Sequence, residues 1–123
     1  MALSKEFVDH LGDLFAGVAG TEIRRMFGGV GIFRQGLMYA LATSEGRIAL
    51  KADAETAERF RAEGSSEWTY AMPGRPAKSM GYWYMPERLA DDPDELREWA
   101  QAAFAAALRA DAAKPPKQRK WKG

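Results

Sequence analysis

The amino-acid sequence predicts an α+β domain, a mostly antiparallel sheet of about six strands with helices packed against it. Three observations carry that prediction. Six short segments show the period-two alternation of a pleated strand, and glycine-bearing turns join the first four. Segments near both ends instead repeat apolar residues at three- and four-residue steps, behind capping residues. The order that results is helix, four strands, helix, two strands, helix, which keeps strands in runs rather than alternating them with helices.

Residues 4–18 form the first predicted helix. Phe7, Val8, Leu11, Leu14, Phe15 and Val18 share one face, Ser4 is the N-cap, and Gly17 and Gly20 close the segment. The stretch Arg24-Arg25-Met26-Phe27-Gly28-Gly29-Val30-Gly31-Ile32-Phe33 then reads as two strands, about 22–27 and 30–34. They reverse at Gly28-Gly29, because glycine reaches the positive φ that a tight turn needs. Gly31 leaves one face of the second strand bare. After a Gln35-Gly36 turn, residues 37–43 place Leu37, Tyr39 and Leu41 on one face and Met38, Ala40 and Ala42 on the other. That doubly apolar pattern suits a central strand. Ser44-Glu45-Gly46 turns the chain into 47–51, where Ile48 and Leu50 oppose Arg47, Ala49 and Lys51. The four strands read as an antiparallel meander.

Residues 54–63 read as a second helix, capped by Asp53 and ended by Gly64. Phe60 is its one large apolar residue, which places it at the margin of the core. Trp68, Tyr70 and Met72 alternate in a fifth strand, and Pro73-Gly74-Arg75-Pro76 breaks regular structure. In a sixth strand over 79–85, Met80, Tyr82 and Tyr84 alternate with Gly81, Trp83 and Met85; Pro86 stops it, and 86–90 make one helical turn. The last helix has Asp92 as cap, Pro93 in its first position and Glu95 three residues after the cap, a capping-box pattern. Leu96, Trp99, Ala100, Ala103, Phe104, Ala107 and Leu108 make its buried stripe.

A chain of 123 residues forms one domain, and roughly two-thirds of its unfolded surface is buried on folding. The absence of cysteine excludes a disulfide framework, a thiolate zinc site and a cysteine nucleophile. Asp9, His10 and Asp13 interrupt any leader-like apolar run, and no segment approaches a membrane span, so a cytoplasmic protein is expected. Charge divides the chain in two. Residues 1–113 hold 17 acidic and 13 basic side chains, while 114–123 hold five basic and no acidic ones. The domain is therefore set at 1–113, followed by a basic tail too polar and proline-broken to pack.

Few residues nominate chemistry. Gly28-Gly29-Val30-Gly31 leads into a strand and lacks a following Gly-Lys-Ser/Thr, so it is a hairpin rather than a phosphate loop. His10, the one histidine, lies beside the apolar stripe with no assignable triad partner. Asp91, Asp92, Asp94 and Glu95 suit a helix start better than a metal. Arg24 and Arg25 point to opposite faces of their strand; a surface charge plus a salt bridge accounts for the pair, and the sharper reading is an anion or partner contact with Arg75 nearby. Of Trp68, Tyr70, Tyr82, Trp83 and Tyr84, half face the core and half offer an aromatic platform. In the tail, Lys114, Lys117, Arg119, Lys120, Trp121 and Lys122 are the candidates for nucleic-acid contact, which would be weak, salt-sensitive and sequence-blind. No cofactor or metal is nominated.

Four stretches together resemble the N-terminal domain of the TfoX/Sxy family: Arg25-Met26-Phe27-Gly28-Gly29-Val30-Gly31-Ile32-Phe33, Gly36-Leu37-Met38-Tyr39-Ala40, Leu50-Lys51-Ala52-Asp53 and Met80-Gly81-Tyr82-Trp83-Tyr84-Met85-Pro86. The resemblance covers about residues 8–112. It implies an α+β fold and a regulator of natural competence, a co-activator beside the cyclic-AMP receptor protein rather than an enzyme. Named members carry a second, C-terminal domain where this sequence has its short basic tail. The family pattern supplies no catalytic residue. The expectation is a non-enzymatic domain that docks a protein partner, such as transcription machinery, with Arg24, Arg25, Phe27, Gly28, Gly29, Arg75 and Trp83 at the contact. The alternatives are nucleic-acid binding through the tail and, last, a small-ligand or enzyme site. An exposed edge strand also offers a route to a homodimer.

Overall fold

The computed structural model describes residues 3–26, 28–70, 74 and 78–118, with the backbone alone for Tyr70 and 78–80. Helix α1 (Lys5–Leu14) leads into strands β1 (Thr21–Met26), β2 (Gly29–Arg34), β3 (Leu37–Ala42) and β4 (Ile48–Lys51). Helix α2 (Ala57–Ala62), strands β5 (Glu67–Tyr70) and β6 (Lys78–Tyr84), and helix α3 (Pro93–Ala112) follow, with a 3-10 turn at Glu87–Asp91 before α3. The sheet runs β1-β2-β3-β4-β6-β5 with every pairing antiparallel. The predicted class and order hold. The meander is β1 to β4, and the second hairpin joins it through β6, leaving β1 and β5 as edges.

Three local readings are corrected. Met26 pairs with Gly29, so Gly29 opens β2 instead of sharing the turn with Gly28, whose φ is +80°. Gly29 is needed for a different reason than turning. A Cβ there would lie 2.3 Å from the Ala42 carbonyl oxygen of β3. In β3, Ile32 pairs with Ala40 while Phe33 pairs with Met38, so Tyr39 is one residue too many for the ladder. At such a bulge two consecutive side chains turn to one side. Tyr39 and Ala40 therefore both face the helices, and Met38 and Leu41 share the opposite face instead of alternating as read. Helix α2 is shorter than 54–63. Asp53 Oδ1 accepts from the Glu55 and Thr56 N–H groups and so caps the turn ahead of the helix, not the helix itself.

Elsewhere the end signals act as expected. Ser4 accepts from the Phe7 N–H at 3.1 Å, and Asp92 from the Glu95 N–H at 3.1 Å. The box at Asp92 is only half closed, because the Glu95 carboxylate turns away to accept from Arg88 and from Trp99 Nε1. Arg88 also donates to Glu63, tying the end of α2 to the start of α3. Those guanidinium bonds, joined by the Trp99 bond, hold the Glu95 carboxyl down to about 2, and the Arg88 bond also lowers Glu63.

Among the described residues, helices α1, α2 and α3 pack on one face of the sheet. Leu11, Phe15 and Val18 from α1 and its following turns meet Val30, Ile32, Tyr39 and Leu50 from the strands and Leu96, Ala100, Ala103 and Phe104 from α3. Burial of each large side chain contributes about 1.5–3 kcal/mol. The Tyr39 ring stands edge-on to Phe15 and Phe104, at 5.9 and 6.0 Å. Thr21 gives its single hydroxyl proton to the Val18 carbonyl, so the Tyr39 hydroxyl donates to Thr21 Oγ1 at 2.7 Å. The buried phenol is thus satisfied, and burial raises its pKa. Phe60, the one large apolar residue of α2, is buried and edge-on to Trp99 at 5.0 Å, and it anchors this short helix to the core.

Candidate functional site

Alternation along the strands fixes what the other face presents. Met26, Phe33, Met38, Leu41, Ala49, Tyr82 and Tyr84 point away from the helices, and Trp68 of β5 joins them beside Tyr82. None of the described helices covers this face. Leu41, Ala49 and Tyr82 form a small buried cluster at its centre. Against that cluster lies a groove of about 600 Å³. Its floor is Met38 and Leu41, its walls are Met26 on one side and Trp68, Tyr82 and Tyr84 on the other, and Thr43, Ser44, Glu45 and Thr69 form a polar rim.

The bare face of Gly31 has a use here. A Cβ on Gly31 would sit 2.7 Å from Met26 Sδ, 3.0 Å from Met38 Sδ and 2.6 Å from a Phe33 ring carbon. Two thioethers and a ring thus fold over one glycine, and thioether side chains are of the kind that repack readily against a partner. The aromatic wall is more rigid. The Tyr82 hydroxyl donates to the Met38 carbonyl at 3.1 Å, and its ring stands edge-on to Trp68 at 6.2 Å. Burial pushes the Tyr82 phenol up to about 12, so it stays a neutral donor at every physiological pH.

Cations stand over the rings of this face. The Arg24 guanidinium lies 4.9 Å above Phe33, Arg47 3.6 Å above Tyr84, and Lys51 Nζ 5.0 Å above Tyr82. Contacts of this kind contribute about 0.5–1 kcal/mol at exposed sites and fix where a long side chain rests. Burial, and then the neighbouring Lys114, lowers the Lys51 pKa, against the pull of Asp53. Arg24 is bridged to Glu22 at 3.1 Å with both partners exposed, a pairing of little energy.

The residues singled out from sequence fall in different places. Arg24 and Arg25 do point to opposite faces. Arg24 stands beside the groove, whereas Arg25 donates to the Leu3 carbonyl at 2.8 Å on the helix side. Gly28 is exposed at the turn, and Gly29 lines the groove. Trp83 faces the helices, 6.0 Å from Phe60, and so is not brought together with Arg24. Phe27 and Arg75 lie outside the described residues, as do Arg119, Lys120, Trp121 and Lys122. Lys114 and Lys117 are exposed, with Lys114 3.8 Å from the buried Asp111. The tail is not wholly irregular, since Pro116–Gln118 makes a 3-10 turn. His10 is exposed. Among the described residues no cluster of His, Asp and Glu forms a metal site, and no helix is long and apolar enough to cross a membrane.

The aromatic half of the site was visible in the sequence. Met38 and Leu41 were missed because the bulge at Tyr39 decides which way the centre of β3 faces, and the rim at 43–45 and Arg47 because their roles come from neighbours across the sheet. Comparison with known proteins agrees with the fold. The model of the TfoX N-terminal domain matches residues 13–107. No curated protein matches the chain.

Proposed function

The chain belongs to the TfoX N-terminal domain family, and on that premise we propose that it is a non-enzymatic regulatory domain that docks a protein partner through the helix-free face of its sheet. The observation that supports this reading is the apolar groove between Met26 and the Trp68–Tyr82–Tyr84 wall, with Arg24 and Arg47 standing beside it. Apolar surface concentrated under a polar rim is the pattern of an interaction site. Of the contact residues expected from sequence the groove takes Gly29, and it adds Met26 of the hairpin with residues of β3, β5 and β6. A role in transcription, as a co-regulator acting through that contact, follows the family resemblance.

The test is affinity capture from nuclease-treated lysate with the full chain and two variants. One carries Ser44→Arg and Thr69→Arg, which fill the rim from exposed positions. The other replaces the tail cations Lys114, Lys117, Arg119, Lys120 and Lys122 with glutamine. The expected result is one protein partner held by the native chain and the tail variant and lost from the rim variant. Capture that survives the rim change, but needs the tail and intact nucleic acid, would overturn it in favour of nucleic-acid binding.

A further inference from the structure

The charges around the groove identify the chemistry of its occupant, given the docking reading above. The body of the domain is acidic, with 17 acidic against 13 basic side chains over residues 1–113. The helix-free face departs from that balance. Among the described residues Glu45 is the one charged group in the groove lining itself. Arg24, Arg47 and Lys51 stand over rings of the same face, and Glu22 is taken up by Arg24. Arg47 reaches the groove only through Tyr84, lining with it and Glu87 a neighbouring cavity of about 190 Å³. Arg47 is the distinctive member. It is exposed, and among the described residues it makes no ion pair. Its position is nonetheless fixed. Its N–H donates to Thr43 Oγ1 at 3.2 Å, its carbonyl accepts from the Thr43 N–H at 2.8 Å, and its guanidinium rests on the Tyr84 ring that walls the groove. A guanidinium that rests over a ring keeps N–H donors for a carboxylate, in the forked geometry that favours a bidentate pair.

We propose that the groove takes an acidic peptide segment of the partner, its apolar side chains seated between Met26, Met38 and the Trp68–Tyr82 wall and its carboxylate paired with Arg47. Arg24 is the weaker contact, because an incoming carboxylate competes there with Glu22. The exposed Glu45 on the rim disfavours a second carboxylate on its own side and so sets the direction of the segment.

Short fluorescent peptides test this by polarisation against the full chain. One alternates leucine with glutamate, one leucine with lysine, one serine with glutamate, and a single-stranded thymidine oligonucleotide serves as the nucleic-acid probe. The leucine–glutamate peptide is expected to bind about tenfold more tightly than either other peptide, since a close charge pair at an interface contributes that much or more. Arg47→Glu should abolish the preference, Arg47→Lys should keep most of it, and Arg24→Gln should cost less than Arg47→Gln. Equal binding of the lysine peptide, lost on Ser44→Arg with Thr69→Arg, would overturn the acidic chemistry and leave docking standing. Binding of no peptide, or tighter Arg47-dependent binding of the oligonucleotide, would overturn the proposal outright.

Discussion

The helix-covered face and the helix-free face are made by the same strands and differ in what completes them. On the first, Tyr39, Ile32, Leu50 and Val30 are almost fully buried, because α1 and α3 supply Leu11, Phe15, Leu96 and Phe104 against them. On the second, the buried cluster is Leu41, Ala49 and Tyr82, and its neighbours Met38, Trp68 and Tyr84 stay half-buried beside a groove. The polar groups differ as well. On the covered face the Tyr39 hydroxyl is spent inside the fold on Thr21, whereas on the other face Arg47 has only the Tyr84 ring beneath it among the described residues. Stability is therefore concentrated on one face, and capacity for contact is left on the other.

That contrast orders the expected effects of substitution. Phe15→Ala, which empties the aromatic stack against Tyr39, should cost about 3–5 kcal/mol in urea denaturation, while Leu41→Ala on the groove floor should cost about 2 kcal/mol. Equal losses would erase the distinction between the faces. The two glycines of β2 sharpen it. Gly29→Ala should cost about 2–3 kcal/mol, because its Cβ meets the backbone oxygen of Ala42 and the strands must part. Gly31→Ala should cost about 1–2 kcal/mol, because the thioether ends of Met26 and Met38 can give while the buried Phe33 ring must shift.

The acid-side pH dependence is expected from the helix side. Glu95 has its folded pKa depressed from 4.5 to about 2, so its contribution is complete above the unfolded value and is lost as pH falls from 4.5 towards 2. Urea midpoints measured through that window should fall for the native chain and fall less for Glu95→Gln; identical slopes would remove the Arg88–Glu95 pairing from the account. The smallest effect is expected at the rim. Ser44→Arg with Thr69→Arg should change stability by under about 0.5 kcal/mol, since both side chains are exposed, while removing partner capture.

Most of the fold was legible because its signals are local. Period-two runs, Ser4 and Asp92 as caps and the Gln35-Gly36 turn each act over a few residues. The site was legible only in part because it depends on register. Leu41 and Met38 read as opposite in sequence, and one extra residue at Tyr39 places them together under the groove. Gly29 read as a turn residue because glycine in a hairpin suggests positive φ, while its actual constraint comes from Ala42, a residue of another strand. Trp83 was set at the partner contact although the alternation already opposes it to Tyr82 and Tyr84, and the pleat sends it to Phe60 on the helix side. Arg47 carried no sequence signal at all, since its meaning comes from the Tyr84 ring beneath it.

The most direct test compares the two faces in one experiment. A photo-crosslinking amino acid is placed at Ser44, on the rim of the groove, or at Gln101, on the exposed side of α3. The full chain is then irradiated in living cells. The account predicts a discrete protein adduct from position 44 and none from position 101. An adduct from 101 alone, or the same adduct from both, would contradict the assignment of the helix-free face as the docking surface.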